Sequence, residues 1–173
     1  PGSLVGSEMC IRDSFYPVEE GISKAKIKSL ISISNKSKTP ILFSRSTYPY
    51  KTIGILVNND FGESTSNSIA FDLASSLSAS LVAVNVSQPK FLQSDDVTQL
   101  TDSLEKMQDL ALSYEVQLDF ANHEGNEAKI FSDLSSTFDL SIIGNGKNQS
   151  WQSRKTTEFI STNSKSSVLY IPS

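Results

Sequence analysis

A chain of 173 residues has room for one domain of ordinary size with residues to spare. Its 38% hydrophobic and 20% charged residues are the balance of a globular chain rather than a disordered one. A net charge of -4 leaves no broad positive field for nucleic acid, and no apolar run approaches the ~20 residues of a membrane span, so neither partner is expected of these residues.

One cysteine, Cys10, and one histidine, His123, exclude an internal disulfide and a conventional zinc site. They fit a reducing, cytoplasmic compartment.

Residues 1–14 lack periodicity and an apolar stretch of signal-peptide length. The run VGSEMCIRDS resembles translated adapter sequence found at the ends of reading frames assembled from environmental DNA. A disordered native linker or a tag remnant are the alternatives, and on each the fold is expected to begin near Phe15.

An internal repeat follows. Residues 33–44, ISNKSKTPILFS, align without a gap on residues 160–171, ISTNSKSSVLYI, at an offset of 127. Both copies run from helix-like sequence through a polar turn into an apolar strand. Residues 15–46 therefore read as the last helix and last strand of a first domain, and 48–173 as a complete second one. Lys24, Lys26, Lys28, Lys36 and Lys38 read as the solvated face of that first helix.

In the second domain, residues 52–58 form a β-branched apolar run closed by Asn59, Asp60 and Gly62, a buried strand entering a turn. Ser64 or Thr65 caps a helix with Ile69, Leu73 and Leu77 on one stripe, and SLVAVNV supplies a second strand ending at Val86. After an acidic cap at residues 94–96, Val97, Leu100, Leu104, Met107, Ala111 and Tyr114 recur at helical spacing; Met107 and Tyr114 read as core contacts. VQLDFA, residues 116–121, alternates as a strand near a sheet edge does. Gly125 and Asn126 then break the chain before a third helix carrying Ala128, Phe131, Leu134 and Phe138. Residues 139–144 form a fourth strand, a short helix runs through Phe159 and Ile160, and SVLYI closes the domain.

This alternation predicts a doubly wound, five-stranded parallel α/β sheet of Rossmann-like type, because parallel neighbours need helical crossovers. Ligands in such sheets sit at the carboxyl ends of the strands near the switch in strand order, here after Val57 and after Ile143.

At those turns stand Asn58, Asn59 and Asp60, and the run GNGK from Gly144 to Lys147. With DLSIIG, the Gly125 turn and the closing VLYIP, they make residues 48–173 resemble the universal stress protein family, of adenine nucleotide alpha hydrolase-like fold. The resemblance implies strand order 3-2-1-4-5. It also implies an aspartate near adenosine after strand one, and a phosphate cradle G-x2-G-x9-G-[ST] after strand four. The positions it nominates for a nucleotide are Asn58, Asp60, Val86, Gly144, Asn145, Gly146, Arg154 and Lys155.

The chain departs from that pattern at the cradle. Lys147 stands where the second glycine belongs, and no glycine follows Gly146. A side chain there obstructs close approach of backbone N–H groups to phosphate. Arg154 and Lys155 offer charge in partial exchange; the alternative is a solvated basic pair at a helix start. Trp151 in the same loop reads as packing, and His123 as a solvent-facing turn residue.

No paired carboxylates, nucleophile elbow or Walker loop appears, so no enzyme is expected. The expectation is a non-catalytic stress-response or signalling module with ATP or AMP bound weakly or not at all. Its expected partner is another domain of the type, in tandem or as a homodimer. The regulatory tail of a membrane transporter and a weak nucleotide hydrolase using Asp60 are the alternatives.

Overall fold

The computed structural model describes residues 15–17, 22–45, 49–57, 65–87, 97–144 and 151–172. Strands β1 (Phe15–Pro17), β2 (Ile41–Ser44), β3 (Thr52–Val57), β4 (Ser80–Ser87), β5 (Leu118–Glu124), β6 (Leu140–Gly144) and β7 (Ser167–Ile171) form one sheet in the order β1-β2-β7-β6-β3-β4-β5. Among the described residues five α-helices cover it: α1 (Lys24–Ser37), α2 (Thr65–Leu77), α3 (Val97–Ser113), α4 (Glu127–Leu134) and α5 (Trp151–Asn163). Among the described residues no helix is long and apolar enough to cross a membrane.

The continuous apolar run of β3 is what a strand buried on both faces requires. Ile53, Ile55 and Val57 enter one core layer with Phe71 and Ala74 of α2 and Met107 of α3. Leu56 enters the other, with Ile27 and Ile31 of α1, Phe131 of α4 and Ile160 of α5. Two crossover helices thus lie on one face and three on the other. Asp139 ties the starts of the two central strands together: its carboxylate accepts the Lys51 and Thr52 N–H groups at 2.8 and 2.9 Å.

The expected five-stranded, all-parallel sheet is corrected to a seven-stranded, mixed one. From residue 52 onward the neighbours run β5-β4-β3-β6-β7, but β2 then pairs antiparallel with β7 and β1 parallel with β2. The reason is edge protection. Val168, Tyr170 and Ile171 are almost fully buried, and without β2 their strand would present an apolar edge to water.

Two boundaries also differ. The strand expected to stop at Ala121 runs to Glu124, paired with β4 as far as Ser87. The helix expected to reach Phe138 ends at Leu134. Ser135, Ser136 and Thr137 donate their hydroxyls back to the carbonyls of Ser132, Asp133 and Leu134. Such hydroxyls bond locally and favour helix ends, and a 3-10 turn takes over. The five lysines of the α1 region are exposed, as expected.

The repeat reaches further in space than in sequence. Phe15, Tyr16 and Pro17 pair with Leu42, Phe43 and Ser44; Ile142, Ile143 and Gly144 pair with Leu169, Tyr170 and Ile171. Every residue of the first set precedes its counterpart by 127, and α1 and α5 begin 127 apart. The unit β1–α1–β2 therefore repeats β6–α5–β7 in element order and register. Leu42 faces its own counterpart Leu169 across the antiparallel pair, so a local twofold axis passes between them.

Side-chain ties join the two units. Tyr170 donates its hydroxyl to Asn35 Oδ1 of α1 at 2.7 Å. Arg45, just past β2, donates from Nη2 to the carbonyl oxygens of Ser161 and Thr162 in the last turn of α5, where a cation complements the helix dipole.

Candidate functional site

The carboxyl ends of β3, β6, β4 and β5 lie side by side, as the topology requires of a switch-point crevice. Val57 is paired with Asn85, Val86 with His123, and Gly144 with Ile171. Of the positions nominated for a nucleotide, Asn58, Asp60, Asn145 and Gly146 lie outside the described residues, and so does the Trp151 side chain. Val86 is half-buried near the end of β4 and packs against the layer containing Phe131. Gly144 is the last residue of β6.

Arg154 and Lys155 fall in the first half of α5, both exposed. Arg154 is within electrostatic reach of the Tyr170 phenol: burial raises that group's pKa, and the Asn35 hydrogen bond and the Arg154 charge each oppose the rise.

His123 is corrected from a turn residue to a strand residue. It is half-buried in β5, and its carbonyl accepts the Ser87 hydroxyl at 3.2 Å. Nearby, Asn85 Nδ2 donates to Asn122 Oδ1 at 3.2 Å, so the ends of β4 and β5 are cross-linked by side chains as well as by their ladder. Gly125 turns the chain from β5 into α4 at φ 137, and its N–H donates to the Ser87 carbonyl at 3.0 Å. A side chain at that φ is strained, which accounts for glycine there.

Glu127 was not singled out in the sequence, although Asn126 followed by an acid is a recognisable helix start. Asn126 Oδ1 accepts the Lys129 N–H at 3.0 Å, capping α4. Glu127 then opens the helix beside the Gly125 turn, and burial pushes its carboxyl above the ordinary glutamate range.

The sign of the resulting pH dependence follows from that direction. Charging the carboxyl is harder in the folded chain than in the unfolded one. Folding is favoured while the group is protonated in both states, and that advantage is lost as pH rises through the folded pKa. Glu127→Gln is therefore expected to be more stable than the parent at neutral pH, with the difference vanishing toward about pH 3.5. Urea unfolding of both proteins across that range is the check; a constant difference at every pH would mean that the carboxyl's ionisation is not involved.

Comparison with solved structures places this architecture. The chain superposes on a universal stress protein from Archaeoglobus fulgidus with TM-score 0.66 at 14% identity, covering 95% of this chain and 63% of that one. The fold is that of the universal stress proteins. A universal stress protein solved in complex with cAMP gives TM-score 0.56 at 15% identity, over 72% of this chain and 98% of that one. UspA from Lactobacillus plantarum gives 0.55 at 17%, over 72% and 99%. No protein-family model and no curated sequence matches the chain.

Proposed function

We propose that the chain is a universal-stress-type module whose residues 15–46 belong to a first domain and 48–173 to a second, paired back to back through β2 and β7. In this reading it is a non-catalytic cytoplasmic stress-response module that binds ATP or AMP weakly or not at all. The observation that carries the pairing is the uniform offset of 127 that relates β1–α1–β2 to β6–α5–β7 in both order and register. The solved structures support it by falling into two lengths. Shorter neighbours are matched almost whole by 72% of the 173 residues, about 125, which is the length of the second domain. A longer neighbour takes in 95% of the chain and extends well beyond it.

Nucleotide binding is weak or absent in this reading because the run after β6 lacks the spaced glycines that let backbone N–H groups approach phosphate. Calorimetric titration of Mg-ATP, then AMP, into the chain tests this. No heat at millimolar ligand is the expected result. Micromolar binding lost on Arg154→Ala/Lys155→Ala would show that the basic pair has replaced the glycine cradle, and would make the domain a nucleotide sensor.

A further inference from the structure

The two repeated units are not covered alike. In the second, Ile160 is fully buried in the cluster that holds Phe131 of α4 and Phe138. Ser164 is buried too, and the next residue, Lys165, donates its N–H to Ser135 Oγ beyond α4 at 2.7 Å. On its far side β6 pairs with β3. In the first unit the equivalent positions are open. Ile33 is 57% exposed, Ser37 is exposed, and β1 has no neighbour other than β2 among the described residues.

The rest of α1 is well packed. Ile27, Leu30, Ile31 and Ser34 are buried, and α1 packs against α5. Among the described residues, α1 has no cover on the one side where α5 has α4. An Ile that is exposed in one copy and fully buried in the other marks a contact that this fold makes when both halves of a domain are present. The neighbouring chemistry agrees. α1 contains four lysines and no acid, with exposed Lys26 and Lys36 at helical spacing from Ile33, whereas α4 contains two acids, Glu127 and Asp133, and one lysine, Lys129.

Resting on the tandem reading, we infer that the Ile33–Ser37 face of α1 and the outer edge of β1 form one docking surface, for the α4-like helix and β3-like strand of the first domain. The apolar anchor is Ile33, and the lysines on either side select a helix with carboxylates flanking its apolar stripe.

The test supplies a first-domain half from this chain's own sequence, by replacing residues 1–12 with a duplicate of residues 52–139, which keeps the offset of 127. Cysteine is introduced by Ile33→Cys in this extended chain and, with Cys10→Ser, in the parent, and maleimide labelling rates are compared under native conditions. Labelling at least tenfold slower in the extended chain is expected, together with slow hydrogen exchange in the added β3-like strand. An added segment that folds while Ile33→Cys still reacts at the parent rate overturns the docking surface alone. An added segment that gains no exchange protection overturns it together with the tandem reading.

Discussion

Replacing Gly54 by valine is expected to abolish folding, and Gly54→Ala to lower stability by about 1–3 kcal/mol, the range of core overpacking. Gly54 is buried in the middle of β3, and a Cβ built there meets the Phe138 ring at 2.2 and 2.3 Å. Both contacts are with an aromatic ring that is itself held in the core beside Phe131, at 6.1 Å between centroids. The ring cannot withdraw as the end of a lysine would. The decisive measurement is a double-mutant cycle in urea. Phe138→Ala alone should cost about 3–5 kcal/mol. If the clash is the cause, Gly54→Ala made in that background should cost little or even stabilise, since alanine suits a strand interior better than glycine. Additive losses would place the damage elsewhere than at Phe138.

The same residue shows where sequence reasoning reaches its limit. The run TIGILV reads as a buried strand by composition alone, and the structure agrees. Nothing local announces that Phe138, 84 positions away, fills the space over Gly54, because the helical spacing that assigned Phe138 to the third helix held good for Ala128, Phe131 and Leu134. The hydroxyls of residues 135–137 decide otherwise by bonding back to the helix end, an effect of side-chain chemistry that hydrophobic period does not register. Similarly, the repeat was visible only where it kept its residues, at 33–44 against 160–171. Phe15–Pro17 shares no residue with Ile142, Ile143 and Gly144, so β1 escaped notice until its register with β2 reproduced that of β6 with β7. At the candidate site the sequence placed Val86 and Gly144 at strand ends, where they are found. It did not weigh Glu127, whose shifted carboxyl depends on burial in the folded chain, which no local pattern of residues announces.

Phe43→Ala is expected to weaken the whole chain by about 3–5 kcal/mol, a large part of the ~5–15 kcal/mol that stabilises a typical domain. Phe43 is fully buried in the layer that contains Ile27 and Ile31 of α1 and Val168 and Tyr170 of β7. Its removal leaves a cavity shared by both repeated units, and the question is whether the units then part. Three backbone positions of β2 face β7, the Tyr170 hydroxyl is bound to Asn35, and Arg45 holds the end of α5. Parting would expose Val168, Tyr170 and Ile171 along a bare strand edge. That cost falls on the second unit, so unfolding of the first should bring the second down with it. Hydrogen exchange in increasing urea separates the cases: peptides from residues 24–37 and 52–57 should lose protection at one lowered midpoint. If residues 24–37 open first while 52–57 stay protected, β1–α1–β2 is an appendage, and the sheet that matters for function ends at β7. A common midpoint makes β2 as integral to the fold as β6, and makes the β2/β7 seam the place where changes in one repeated unit are felt by the other.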